Sequence, residues 1–379
     1  MNASELQQTI SFGALITAPA AYRIPIFPIL RKRFGIRASL YYCREECSPG
    51  WLDLRHIHPY CVCSSLRIGR TVFSLPPLRL YWEVLRKKHA CILVSGWGHF
   101  FCLLLHGICY LCSVPVVVLS DTGWPSKQSG WKLVVRKRIV GWVAKHSCAA
   151  IVSGKLAAQH LAEAGLRGPT FIGHYAVDIS EFYPPISRQT GECLDLLFVG
   201  RIIERKGLID VLKALDLVRL RKIRARLTVA GDGPQLENVR QQINDLKLED
   251  SVHLLGAVVH SELPSLMRRM DVLVVPSRRE PWGVVVAEAA ASGLALLCSD
   301  ETGAAADLLD EGVNGYMFQV GDMHALADVI ERLWNDKRIG RIGSMGAASR
   351  SAAESFSLAH CAEQYARAIL QATSKKVNG

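Results

Sequence analysis

Two glutamates frame the stretch Ser277-Arg278-Arg279-Glu280-Pro281-Trp282-Gly283-Val284-Val285-Val286-Ala287-Glu288. Carboxylates accept hydrogen bonds from polyol hydroxyls, so two of them facing one cleft can hold a sugar. Glu288 interrupts an apolar run, where a carboxylate needs a partner. Gly283 removes a side chain at the expected start of a helix, so the free N–H groups of the first turn can approach an anion or a hydroxyl. Upstream, Gly200-Arg201 and Lys206-Gly207 set two cations beside flexible backbone. A diphosphate asks for that combination of fixed positive charge and amides that can come close. Taken singly, the two glutamates read more readily as solvated acids, and Arg201 and Lys206 equally well as surface charges. Their combination points to a ligand.

The elements around these residues support that reading. Residues 271–276 form a short apolar run, as expected of a parallel strand buried on both faces. Residues 284–292 predict a helix with Gly293 as its C-terminal stop. The acidic motif is therefore strand, loop, helix, with the loop at the carboxyl edge of the sheet, where open α/β sheets bind ligands. The same alternation recurs along the second half. Strands are predicted at 194–199, 226–230, 252–255 and 294–298. Glycine-bearing loops follow them at 200–207, 231–234 and 256–258. Helices are predicted to about 220 and over 261–270 (capped by Ser261), 322–335, 344–353 and 358–371. In the first half, strands are predicted at 14–17, 38–43, 90–94, 116–119 and 150–152. Helices are expected over 79–88, 131–146 and 154–164, and residues 44–63 and 167–190 read as irregular. Repeated β-loop-α units define a doubly wound parallel sheet.

A chain of 379 residues is too long for one ordinary core and predicts two domains, with a linker near 183–191. Half the residues are apolar, which excludes extensive disorder. The net charge of +11 is uneven: residues 1–185 carry 21 Lys and Arg against 9 Asp and Glu, and the remainder 24 against 25. The excess belongs to the first half, so an anionic partner is expected there: a membrane surface, a phosphorylated acceptor or a nucleic acid. No nucleic-acid-binding pattern accompanies the charge, so no nucleic-acid partner is expected. Helix 131–146 reads as basic and amphipathic, suited to an anionic membrane surface or to a solvated outer face. Residues 100–119 carry no charge and are long enough to cross a bilayer, but His106, Gly107 and Pro115 favour a buried helix followed by a strand. No signal peptide is evident, and the twelve cysteines are expected as free thiols in a reducing cytoplasm. Cys43, Cys47, Cys61 and Cys63, with His56 and His58, can be drawn as a zinc site, but the spacing does not match the usual pairs.

No Walker A loop and no dinucleotide-binding G-x-G-x-x-G follow a strand, which leaves kinase and nicotinamide chemistry unsupported. No D-x-D or His cluster asks for a catalytic metal. Were a diphosphate to leave here, Arg201, Lys206 and the helix dipole behind Gly283 would have to stabilise its charge.

At this point the chain resembles a known family. Gly200-Arg201…Lys206-Gly207, Gly231-Asp232-Gly233-Pro234, Glu280-Pro281-Trp282-Gly283…Glu288-Ala289, Ser292-Gly293 and Gly312-Val313-Asn314-Gly315 together resemble the retaining GT-B glycosyltransferases of family 4 over residues 194–335. Residues 18–27 resemble the first loop of members that build cell-surface polysaccharides, and Val177-Asp178…Phe182 resembles the segment between domains. The resemblance implies a GT-B fold of two Rossmann-like domains facing each other across a cleft. Residues 1–185 would bind acceptor, 186–355 would bind nucleotide sugar, and 356–379 would form a helix packing back on the first domain. It implies that Arg201 and Lys206 hold the donor diphosphate, with Gly200 beside them, and that Glu280 accepts from sugar hydroxyls. The amides of Trp282, Gly283 and Val284 would contact sugar and phosphate. Glu288 would bind the ribose, and the turn Gly256-Ala257-Val258 would lie against the base.

There are departures from the family pattern. The Gly-Gly loop after the first strand is absent, and Ser120-Asp121-Thr122 stands where a histidine is often found. Asp121 becomes the candidate base, with a structural turn-former the more ordinary role for such a residue. His174 stands where asparagine is common, and Thr302-Gly303-Ala304-Ala305-Ala306-Asp307 replaces a Gly-Gly-x-Pro-Glu type segment. The expected function is metal-independent, retaining transfer of a hexose from a nucleoside-diphosphate sugar to a lipid-linked or anionic glycan, at the cytoplasmic membrane face. The alternatives are the same chemistry on a soluble small molecule, and a nucleotide-sugar-binding scaffold without turnover.

Overall fold

The structure is a computed structural model and describes residues 10–20, 22–43, 58–62, 65–68, 71–74, 78–121, 130–185 and 191–374. The chain forms two compact units, Met1–Ala176 with Leu358–Gly379 and Val177–Ser357. Residues 186–190 of the expected linker lie outside the described residues.

The first unit begins with β1 (Ser11–Ile16), α1 (Ile26–Phe34), β2 (Arg37–Tyr42), β3 (Cys61–Val62) and the antiparallel pair β4 (Ser65–Ile68) and β5 (Thr71–Ser74). It continues through α2 (Leu78–Leu85), β6 (Cys91–Ser95), α3 (Phe100–Leu111), β7 (Val116–Ser120), α4 (Trp131–Lys145), β8 (Ala149–Val152), α5 (Lys155–Glu163) and β9 (Thr170–Ile172). Its parallel sheet has the order β3-β2-β1-β6-β7-β8-β9. Val-Val-Val-Leu in β7 and Ala-Ala-Ile-Val in β8 are buried throughout, because helices cover both faces of the sheet. On one face α1 packs with Ala362, Tyr365, Ala366 and Ile369 of the last helix, Leu358–Ser374. On the other, α2 and α3 cover Ile92, Val94 and Val116, while α4 and α5 cover Val118, Ala150 and Val152.

The second unit runs β10 (Leu194–Val199), α6 (Leu208–Leu220), β11 (Ala225–Ala230), α7 (Leu236–Asp245), β12 (Val252–Gly256) and α8 (Leu263–Met267). It then runs β13 (Val272–Val275), α9 (Val284–Ala291), β14 (Ala295–Ser299), α10 (Ala305–Leu308), β15 (Gly315–Phe318), α11 (Met323–Arg338) and α12 (Arg341–Ala353). The order β12-β11-β10-β13-β14-β15 is parallel throughout. The chain winds outward from β10 in one direction and from β13 in the other, so the loops after β10 and β13 flank the switch point of the sheet. At the opposite edge, the buried Lys337 ammonium meets the Asp271 carboxylate, and Asp271 also accepts from the Asp195 amide at 2.9 Å.

Several expectations are corrected. Residues 170–172 form an edge strand on β8 where irregular chain is expected; three residues following a proline carry too short a pattern to read. Ser261 caps nothing: a 3-10 turn, His260–Glu262, precedes α8, whose N-cap is Glu262 without a side-chain bond. Arg86, Lys87 and Lys88 lie past the end of α2, not in its last turn. α4 is not cleanly amphipathic, since Val134 and Val135 are exposed beside Lys137 and Arg138. Residues 100–119 do divide into helix α3 and strand β7, but α3 is buried on one side only. No helix among the described residues is long and apolar enough to cross a membrane. Cys47, Cys63 and His56 lie outside the described residues. Among the described residues no group of His, Cys, Asp and Glu could hold a metal ion. The cysteines described are free thiols, from Cys43 to Cys361.

Candidate active site

At the switch point of the second sheet, the two expected sets of residues meet. The Lys206 ammonium donates to Glu280 Oε2, and both side chains are mostly buried. Lys206 closes a 3-10 turn, Glu204–Lys206, after β10, and Gly207 follows at φ 71°. A Cβ at Gly207 would stand 2.1 Å from the Pro276 carbonyl oxygen, so only glycine lets this loop lie against the end of β13. Backbone bonds stitch the neighbouring exits together: Gly200 N–H to Ala230 O at 3.0 Å, Ile202 N–H to Asp232 O at 2.8 Å, and Gly231 N–H to Gly256 O at 2.7 Å. Arg201 is exposed at this edge and engages no carboxylate among the described residues. Gly256 takes φ 72° and Val258 is half-buried in the turn that follows.

Glu280 is fixed from both sides. Its amide donates to Glu301 O, and its carbonyl accepts from Gly303 N–H, each at 3.0 Å. Ser299 Oγ donates to Ser277 O at 2.7 Å, tying the same two loops deeper in the core. Trp282 is 2 % exposed, with its indole N–H on Asp307 Oδ2 at 2.9 Å and its ring 4.8 Å from that of Phe356. The Trp282 side chain is thus an anchor for the loop, and its carbonyl accepts from Ala304 N–H at 2.8 Å. Asp307, noted in the sequence only as a departure from the family pattern, is the acceptor that holds it.

Gly283 takes φ 103° and begins α9; a Cβ there would crowd Glu280 Cγ at 3.1 Å. The first-turn amides, Val284 among them, lie outside the helix's own hydrogen-bond ladder and carry the positive end of its dipole. One turn on, Glu288 is 8 % exposed and accepts from His260 Nε2 at 3.0 Å. That bond raises the His260 pKa above its ordinary value, against the opposing effect of partial burial. The His260 ring also packs edge-on to Phe182 at 5.6 Å. Sequence reasoning required a partner for Glu288 and did not find it. Nor did it find Arg278, whose guanidinium bridges both Asp210 oxygens at 3.0 and 2.8 Å, or Arg205, which donates to Arg279 O.

Asp121 belongs to the first unit. It is half-buried at the end of β7 and accepts from the Tyr175 hydroxyl at 2.9 Å. Burial, then Asp121, pushes the Tyr175 pKa well up, so the phenol stays a donor. His174 is buried edge-on to Tyr175 at 4.7 Å, and burial, followed by the charge of Arg23, keeps it neutral.

Two doubly wound units of this kind, the second with a carboxylate–ammonium site at its switch point, define the GT-B class of fold. The HepE protein of Anabaena, solved in complex with UDP, superposes with a TM-score of 0.74 at 19 % identity, covering 94 % of this chain and 99 % of that one. Residues 181–350 match the family of glycosyl transferases group 1. The glycogen synthase of Mycobacterium tuberculosis is 28 % identical over 232 residues, 59 % of this chain and 55 % of that protein. A GDP-mannose-dependent α-(1-6)-phosphatidylinositol monomannoside mannosyltransferase of the same organism is 30 % identical over 189 residues, 46 % and 48 %. The chain spans about half the length of the curated relatives it matches.

Proposed function

We propose that this protein is a retaining glycosyltransferase that moves a hexose from a nucleoside-diphosphate sugar to a membrane-associated or anionic glycan. The reading rests chiefly on the meeting of Lys206 and Glu280 at the sheet's switch point, beside the start of α9. An ammonium keeps three donors, so Lys206 can hold Glu280 and still turn toward a donor pyrophosphate. Arg201 adds a second cation, and the amides of Gly283 and Val284 add the helix dipole. Glu280 would accept from the sugar hydroxyls and Glu288 from the ribose, with Gly256 and Val258 against the base. In the reaction the bond from the anomeric carbon to the diphosphate oxygen breaks, and the acceptor oxygen bonds to the same face. The acceptor's proton passes to the departing phosphate. Lys206, Arg201 and α9 would stabilise the charge that develops there, with no metal required. Asp121, which accepts from the Tyr175 hydroxyl, is the alternative destination for the acceptor's proton. A cytoplasmic enzyme peripheral to the inner membrane face fits the basic first half, and the mannosyltransferase relative is named for a lipid acceptor.

The test is a panel of UDP-, GDP- and dTDP-sugars read by thermal shift, followed by transfer assays on isolated membranes in EDTA. A donor bound only by the native state raises the melting temperature. No shift with any donor and no nucleoside diphosphate released would overturn the proposal. Activity abolished by EDTA and restored by a divalent cation would overturn its metal-independent part.

A further inference from the structure

The helices α2, α3 and α4 lie side by side on one face of the first sheet, and each turns a stripe of large apolar side chains outward. On α2 the stripe is Leu78, Trp82 and Leu85, exposed by 71, 53 and 55 %. On α3 it is Phe100, Leu104 and Leu111, at 70, 39 and 82 %. On α4 it is Trp131, Val134 and Val135. The spacings i, i+4, i+7 and i, i+4, i+11 are those of one helix face, opposite the face each helix packs on the sheet. Such stripes on adjacent helices are what a buried surface looks like before its partner arrives.

The charges beside these stripes have one sign. Arg86, Lys87 and Lys88 are exposed past the end of α2, with the Arg86 guanidinium 4.3 Å over the Trp82 ring. On α4, Arg138 and Lys145 are exposed on the side of the stripe. The single acid on the three helices, Glu83, points inward and is held by Tyr41 at 3.0 Å, His89 at 3.0 Å and Arg79 at 3.2 Å. Solvent exposure alone does not account for apolar stripes interleaved with cations and free of exposed acids. A protein partner of ordinary composition would not require the acid to be withdrawn.

We infer that the α2–α3–α4 face is a membrane-docking surface that sinks Trp82, Phe100, Leu111 and Trp131 into the interface of an anionic bilayer while its lysines and arginines meet lipid phosphates. This deepens the proposed function and rests on its membrane-associated acceptor. The binding has two parts. The apolar part persists in salt, and the ionic part is screened by it.

The experiment is co-sedimentation of the full chain with vesicles of phosphatidylcholine alone or mixed with phosphatidylglycerol, at low and high salt. Binding is expected to the mixed vesicles and to weaken, not vanish, with salt. Trp82→Ser, Phe100→Ser and Leu111→Ser should each lower the partition coefficient about tenfold. Lys88→Ala and Arg138→Ala should each lower it about fivefold, and only on anionic vesicles. These side chains are outside the core and the donor site, so melting temperature and donor-induced thermal shift should stay unchanged. That control separates failure of this surface from failure of the glycosyltransferase reading. No binding to anionic vesicles, or equal binding by the serine variants, overturns the inference. So does a lipid-free dimer in sedimentation velocity that Phe100→Ser dissociates, because the face would then belong to a second copy.

Discussion

The Lys206 ammonium donates to the Glu280 carboxylate, joining the loop after β10 to the loop after β13 across 74 positions of chain. In the free protein each charge is the other's partner, and a donor pyrophosphate would have to share the lysine. Lys206→Ala should lower donor affinity by ten- to a hundredfold, about 1.4–2.8 kcal/mol, since it removes a charge-assisted contact and leaves Glu280 only the more distant Arg205, at 3.9 Å, and Ser277. Titration calorimetry with the donor found by thermal shift measures this. Unchanged affinity in Lys206→Ala would remove this loop from the donor site.

Trp282 and Asp307 should matter to both fold and function. Trp282→Ala empties a buried indole site and should cost about 3–5 kcal/mol in urea unfolding. Asp307→Ala leaves the indole N–H without its acceptor and should cost about 1–3 kcal/mol. If Asp307→Ala melts like the wild type, the indole bond does not anchor the loop.

Gly207→Ala sets a Cβ against the Pro276 carbonyl, at a position that also needs a positive φ. The left-handed conformation alone costs an L-residue about 1–2 kcal/mol, and the backbone clash adds to it. The expected result is lower stability together with a loss of donor binding, because Lys206 and Glu280 are brought together by this contact. Crystals of the variant showing an unmoved Lys206–Glu280 pair would contradict that link.

The His260–Glu288 pair predicts a pH dependence. The folded-state pKa of His260 is raised. Its stabilisation is therefore fully present below the unfolded-state value of about 6.5 and is lost as pH rises through the higher folded value. Wild type should lose more stability than His260→Asn across that window, followed by urea midpoints at successive pH values. Donor affinity should rise over the same window in the wild type only, as neutral His260 releases Glu288 to the ligand. Parallel curves for the two proteins would show that the pair does neither.

Lys337 offers a contrast remote from the switch-point loops. Lys337→Met leaves the buried Asp271 carboxylate without its ammonium, and should cost about 3–5 kcal/mol. Donor affinity in the surviving folded fraction should not change. A fall in affinity as large as that of Lys206→Ala would mean the two edges of the sheet are coupled.

Much of this was legible in the residues. Parallel strands buried on both faces read as unbroken apolar runs, so β7, β10 and β13 are visible without any structure. Glycines at strand exits and the run Glu280 to Glu288 mark the edge where the candidate site lies, because loop and helix-start chemistry is local. Partners were not legible. That Lys206 faces Glu280, or that His260 faces Glu288 from 28 positions away, depends on β10 lying beside β13 rather than beside β12. Strand order is a property of the whole sheet, set by which crossovers bury the most surface, and no window of sequence contains it. The outward stripes of α2 and α3 escaped for the same reason. An apolar residue at helical spacing announces that it will be covered; which side the sheet covers, and which it leaves open, is decided only when the helices pack.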